Sequence, residues 1–260
     1  MHTQSILGLD PAQLDQLEAR VRAMTGPWQA PRGRNRAMTL RQAVEICLFA
    51  LRHNNSQQAL AWVAKVSQPT ISRIVARLRR VVLLALAPDQ AGLADCQPGE
   101  RLLLDGTLVP TGNRTGQEGK GLYSGKRHKA GVNLQVVSDN WGRLVHAGDP
   151  LAGATHDAAA FVESGLERLL AGHPTLGDKG YQGCGIHTPF KKPRGGKLRE
   201  TQQVHNRAHA SARAPVERAI ALLKQWKVLG TGYRGPLSAL PVVVRTVVAL
   251  EKFRIYEKAF

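Results

Sequence analysis

Three cysteines in 260 residues, Cys47, Cys96 and Cys184, are too few and too scattered for a disulfide frame. No Cys-x-x-Cys pair is present to suggest a zinc knuckle, so they read as isolated thiols of a reducing compartment. Acidic residues are scarce: 19 Asp and Glu face 36 Lys and Arg, giving a formal charge of +17 and a pI near 10.5. That excess favours a polyanionic partner, because each neutralised phosphate releases counterions. A ribosomal or nucleoid protein would share it. Long apolar runs are also missing. The stretches Val81 to Ala87 and Leu240 to Leu250 are too short to span a bilayer, and Arg245 interrupts the second. Asp10, Asp15 and Glu18 break any apolar leader early. The expectation is a cytoplasmic, nucleoid-associated protein with no membrane partner. The 43% hydrophobic content excludes a disordered basic tail, and the length suffices for one sizeable core plus a smaller module.

The N-terminal third reads as helices. Asp10-Pro11 marks a helix start with Leu14, Leu17 and Val21 on its apolar face. The loop from Gly26 to Arg36 carries Arg32, Arg34 and Arg36, which either touch phosphate or are simply solvated. Thr39-Leu40-Arg41-Gln42 is a capping box. Ser56 opens a short helix to about Val63. After the connection Ala64 to Ser67, Pro69 sits in the first turn of the next helix. Ile71, Ile74, Val75, Leu78 and Val82 form its apolar face, leaving Thr70, Arg73 and Arg77 outward. Two helices, a tight turn and a basic second helix are the layout of a helix-turn-helix, although the turn lacks the usual glycine. Residues 1–85 are therefore expected to be a DNA-binding domain, 86–100 a linker and 101–260 a second domain.

That second domain opens on Leu102-Leu103-Leu104-Asp105-Gly106-Thr107-Leu108-Val109, an apolar run of the kind buried on both faces of a sheet. Its lone carboxylate either begins a solvated turn with Gly106 or is held by a partner that offsets its desolvation. Val132, Leu134 and Val136 alternate with Asn133 and Gln135. Asn140-Trp141-Gly142 turns into a third strand, Arg143 to Ala147. His156-Asp157 starts a helix. Thr175 to Tyr181 is a strand delivering Asp178 into a Gly-rich turn, and Ile186 to Phe190 is a fifth strand. A basic loop precedes a long helical stretch that Pro215 should kink or restart. Leu237 to Tyr256 is a final amphipathic helix. The fold class is α/β: a mixed five-stranded sheet flanked by helices, preceded by an all-α module.

A β-β-β-α-β-α order sets the first and fourth strands side by side, so Asp105 and Asp178 could meet Glu217 from a packed helix. Arg213, Glu217 and Lys224 fall within roughly 40° of one another on a helical wheel. By itself that is a surface stripe. With the two aspartates it becomes a set of hard oxygen donors suited to Mg²⁺, and two such ions can drive an in-line displacement at phosphate.

The stretches LLLDGT, SGKRHKAGVNLQVVSD, GATHD, GDKGYQG, TPFKK and NRAHASARAPVERAIALLKQWKVL resemble bacterial insertion-sequence transposases of the DDE type, in the group related to Harbinger transposases. The resemblance covers nearly the whole chain. It implies a ribonuclease-H-like catalytic fold behind a helix-turn-helix, with Asp105, Asp178 and Glu217 as catalytic metal ligands. It implies two Mg²⁺ ions, with Mn²⁺ as a substitute. The implied partner is double-stranded DNA, both transposon inverted-repeat ends and target, bound by a homodimer or higher oligomer. Related enzymes carry Tyr-x2-Arg-x3-Glu-x6-Lys. Arg213, Glu217 and Lys224 match this, while Ala210 replaces the Tyr and Pro215 interrupts the helix. Thr70, Arg73, Arg77, Lys126, Arg127, Arg213 and Lys224 are the expected DNA contacts.

Asp157 is read as a helix cap rather than a fourth acidic group at the metals. Asp139, Asp149 and Glu163 are read as surface, and Trp226 as core rather than a base-stacking residue. Besides a transposase, two alternatives are a non-catalytic DNA-binding derivative and a stand-alone nuclease. Inverted repeats flanking the gene, and joining as well as cleavage, separate them.

Overall fold

A computed structural model describes residues 4–29, 35–89, 92–114 and 116–256. The helices in chain order are α1 (Gln4–Leu7), α2 (Pro11–Thr25), α3 (Leu40–His53), α4 (Gln57–Val63), α5 (Gln68–Leu86), α6 (Asp157–Glu163), α7 (Leu166–Leu169), α8 (Glu200–Arg213), α9 (Pro215–Gln225), α10 (Lys227–Gly230) and α11 (Leu240–Tyr256). The strands are β1 (Leu102–Pro110), β2 (Tyr123–Ser124), β3 (Lys129–Ser138), β4 (Leu144–Ala147), β5 (Leu151–Ala152) and β6 (Thr175–Leu176). They form two compact units, residues 1–90 with 224–260, and residues 91–223. The expected second domain ran unbroken to residue 260, whereas contacts group its last 37 residues, 224–260, with the helical unit.

In the helical unit the sequence signals act as written. The Asp10 and Thr39 side chains cap α2 and α3 through reciprocal boxes with Gln13 and Gln42, satisfying backbone N–H groups that the helix leaves open. Ser56 caps α4. Between α4 and α5 the missing glycine is replaced by Lys65, which takes φ of 52°. Thr70 is half-buried and its hydroxyl bonds the Ser67 hydroxyl at 2.9 Å, so it is not freely outward. Arg73 donates to the Pro69 carbonyl, and Arg77 lies 5.3 Å from the Trp28 ring. Arg36 stacks on the same ring at 4.5 Å, while Arg32 and Arg34 lie outside the described residues.

Helix α11 departs from the expected amphipathic form. Val243, Val244, Thr246, Val247, Ala249, Leu250, Glu251 and Phe253 are all buried, so it is covered on nearly every side. It packs on α5, and Thr246 Oγ1 donates to Arg79 O at 2.9 Å. Trp226 is fully buried and donates Nε1 to the buried Glu251 carboxylate at 2.9 Å. No helix of the described residues is long and apolar enough to cross a membrane.

Burial of Cys47 pushes its thiol up to about 12. The reactive thiolate is therefore withheld. Native protein at pH 8 is expected to lose Cys96 and Cys184, but not Cys47, to an alkylating reagent. Peptide mass mapping reads this, and rapid Cys47 labelling without denaturant would contradict it.

The second unit is built on a six-stranded mixed sheet with the path β2-β3-β1-β6, β4 and β5 also pairing β3. Strand β1 is antiparallel to β3 and parallel to β6. The first and fourth expected strands are thus neighbours. Leu102 and Leu104 pack with Val137, Phe161, Leu166 and Tyr181 under α6 and α7, while Leu103 packs with Leu176 and Val216 on the opposite face. The run had to be apolar throughout because both faces are covered. The expected fifth strand contributes a single parallel bridge, Leu176 with His187. Pro189 has no N–H to offer a ladder. Instead α8 holds this segment: Asn206 bonds both backbone groups of Phe190, and the His209 ring meets His187 O.

Asp139, expected at the surface, is 2% exposed. Its carboxylate accepts from the Trp141 and Arg143 backbone N–H groups and from Arg143 Nε, closing the β3–β4 turn. Gly142 in that turn has φ of 78°, and a Cβ there would lie 2.4 Å from Pro215 O. Only glycine lets the turn back onto the junction of α8 and α9.

Candidate active site

The β1–β6 register pairs Leu102 with Thr175 and Leu103 with Leu176. Continued past the end of β6, it sets Asp178 level with Asp105. Side chains alternate along a strand, so Asp105 shares the face of Leu103, the one covered by Val216. Arg213 closes α8 on that face, its Nη1 3.2 Å from Asp105 Oδ2. This contact is an ion pair rather than an aligned hydrogen bond, since Nη1 is buried without an acceptor in line. Burial raises the Asp105 pKa, and the Asp178 charge raises it further, while Arg213 and the Gly106 N–H oppose the rise.

Asp178 accepts from the Gly180 N–H at 2.7 Å, which fixes the turn after β6. Lys126 lies across the site, its Nζ 2.9 Å from Asp157 Oδ2 and 3.8 Å from Asp178 Oδ2. The Asp157 bond, more than any other contact, holds the Lys126 ammonium above its usual pKa.

Asp157 corrects the reading from sequence. It is the first residue of α6, where His156 is the cap, and no side-chain cap bond is made there. Its carboxylate instead lies against the sheet at Gly106. A Cβ on Gly106 would lie 2.6 Å from Asp157 Oδ1, and one on Gly180 2.8 Å from Asp157 Oδ2. Both glycines make room for this carboxylate.

A buried chain of amides stands behind it. Tyr181 OH donates to Gln135 Oε1 at 2.6 Å, Gln135 Nε2 to Asn133 Oδ1 at 2.9 Å, and Asn133 Nδ2 to Thr155 O at 3.0 Å. The same Nδ2 lies 3.4 Å from Asp157 Oδ1. Burial, ahead of the neighbouring aspartates, holds the Tyr181 hydroxyl protonated well above its ordinary range. The sequence offered one clue to this chain: Asn133 and Gln135 are two residues apart in a strand, hence on one face. They read there as one half of a mixed face, whereas both are buried.

Not every expected residue joins the site. Glu217 is exposed in the first turn of α9, and no hydrogen bond or ion pair links its carboxylate to the residues above. The helix breaks at Ala214, so Arg213 and Glu217 do not share one continuous face. Among the described residues, no group of three or more His, Cys, Asp or Glu side chains is arranged to hold a metal ion. Arg127 is exposed beside Lys126. Lys224 lies in the last turn of α9. Thr70, Arg73 and Arg77 belong to the helical unit. A cleft of about 260 Å³ lined by Gly106, Ser124, Lys126, Asn133 and Asp157 opens on the Asp157 side of the site.

Residues 104–252 match the family described as DDE superfamily endonuclease. The chain is 34% identical over 224 residues to a protein of Streptomyces albus G named as a transposase for insertion sequence element IS112, covering 85% of this chain and 83% of that one. It is 29% identical over 181 residues to a protein of Microchaete diplosiphon named as a transposase for IS702, covering 65% and 64%. A chain of the piggyBac transposase synaptic complex with hairpin DNA aligns over 98% of this chain and 74% of its own, with 12% identity and a TM-score of 0.48.

Proposed function

The chain belongs to the DDE superfamily endonucleases and to the transposases of bacterial insertion sequences, and from that premise we propose that it cuts transposon ends and joins the freed 3′-OH to target DNA. What supports this reading is that Asp105 on β1 and Asp178, two residues past the end of the parallel neighbour β6, lie beside an arginine and a lysine. The order β4-β3-β1-β6 supports a ribonuclease-H-like catalytic unit. The α4–Lys65 turn–α5 arrangement supports a helix-turn-helix, with Arg73 and Arg77 on the exposed side of α5.

Carboxylate oxygens are the hard donors that a divalent cation prefers. The Asp105 carboxylate feels the charge of Asp178, and each has a protein cation beside it, Arg213 and Lys126. Asp105, Asp178 and Glu217 would hold the metal, Glu217 following the Val216 that packs over β1 and β6. When bound, Mg²⁺ supplies Lewis-acid stabilisation of charge at the phosphate and activation of the attacking oxygen. The protein's own groups do the rest. Arg213 and Lys126 counter the charge of an approaching phosphate. Asp157 orients Lys126, and the Tyr181–Gln135–Asn133 chain ties the turn that follows Asp178 to β3. The work is cytoplasmic, at the nucleoid, on double-stranded DNA, by a homodimer or larger assembly.

Incubation of the protein with its own gene's flanking DNA and Mg²⁺ tests the proposal. Cleavage at both ends followed by joined product is expected. Cleavage without joining would reassign the chain as a nuclease, and binding without either as a non-catalytic DNA-binding protein.

A further inference from the structure

We propose that Lys126 is a built-in counter-cation of the acidic pocket, held there by Asp157, which an entering divalent metal must displace. The inference rests on the metal-site reading above. Three observations place Lys126 in this role. Its ammonium lies on Asp157 at 2.9 Å and reaches Asp178 at 3.8 Å, so one charge serves two carboxylates. Asp157 is 14% exposed and anchored from behind by Asn133, which fixes the inner end of the contact. Gly106 and Gly180 carry no side chain to push this carboxylate away: a Cβ on either would lie 2.6 or 2.8 Å from it. By contrast, the Lys126 side chain is 62% exposed on a flexible stem, so it can swing out while the carboxylates stay.

The consequence is competition. A cation 3.8 Å from Asp178 repels a second cation seeking the same oxygens. Once displaced, the ammonium is released at the mouth of the cleft where a phosphate would lie. The device thus couples metal entry to the exposure of a phosphate-binding charge.

The test is Mn²⁺ binding to the full-length protein without DNA, read by electron paramagnetic resonance of the free ion. Lys126→Ala is expected to bind Mn²⁺ more tightly than the wild type by roughly fivefold, a modest gain because the Lys126 side chain is 62% exposed and its charge is screened. Lys129→Ala removes the same charge from an exposed position on β3 and is expected to change affinity by less than about twofold. Asp178→Asn should weaken binding. Equal or weaker binding by Lys126→Ala, or equal tightening by Lys129→Ala, overturns the displacement proposal while leaving the metal site in place. If Asp178→Asn leaves Mn²⁺ binding unchanged, the metal-site reading falls and the displacement proposal with it. Thermal melts of each variant verify that the fold is kept.

Discussion

Asp178→Asn is expected to lose cleavage and joining by about a thousandfold or more while binding transposon-end DNA as well as the wild type, or slightly better. The rate estimate follows the scale seen when one preorganised charged group is removed from a transition-state site. The substitution is close to isosteric. Its amide oxygen can still accept from the Gly180 N–H, so the turn after β6 keeps its shape. What goes is one negative charge beside Asp105, and with it repulsion of an incoming phosphate. Affinity therefore holds or rises while chemistry fails. Lys224→Ala gives the opposite pattern: it removes a cation, so DNA affinity falls together with rate. Filter binding and Mg²⁺-dependent cleavage on the same end fragment separate the two. Wild-type cleavage by Asp178→Asn would remove Asp178 from the mechanism.

Trp226→Ala is expected to destabilise the helical unit by about 3–5 kcal/mol, the cost of emptying a fully buried aromatic site. Two further losses accompany it. The buried Glu251 carboxylate, also held by Arg254, loses its indole donor at 2.9 Å. Arg52 loses the ring over which it sits at 5.2 Å. Trp226→Phe separates these effects: it keeps most of the apolar bulk and removes the N–H, for about 1–3 kcal/mol. Urea unfolding followed by circular dichroism measures both. An alanine variant within about 1 kcal/mol of the wild type would show that 224–260 is not part of this core.

The local signals were legible because they depend on neighbours in sequence. Asp10, Thr39 and Ser56 cap the helices they announce, Pro69 lies in the first turn of α5, and the chain restarts its helix at Pro215. The strand carrying Asp105 was readable from the apolar residues on both of its faces, and its pairing with the strand that leads to Asp178 from element order. What escaped depends on long-range packing. Asp157 occupies a position where caps are common, and only the glycines across from it reveal that its carboxylate points into the site. Asp139 resembles any turn aspartate until the three donors that bury it are in view. Helix α11 carries Arg245, Glu251, Lys252 and Arg254, residues that elsewhere mark a wet face, yet Glu251 and Lys252 are buried and Glu251 is paired with Arg254. Nor does periodicity say which unit a terminal helix will join.

The chain leaves the helical unit near residue 90 and returns to it at residue 224. On the ribosome, that order imposes a delay. At about 5–20 residues per second, the intervening stretch takes roughly 7–27 s to synthesise. Throughout that interval α5 has α2, α3 and α4 to pack against but not α11, so the part of its surface that α11 covers stays open until the sheet unit has been made. The sheet unit of each nascent molecule is thus complete before the helical unit is. A chaperone able to shield α5 during that window should raise the yield of folded protein more than one acting after release.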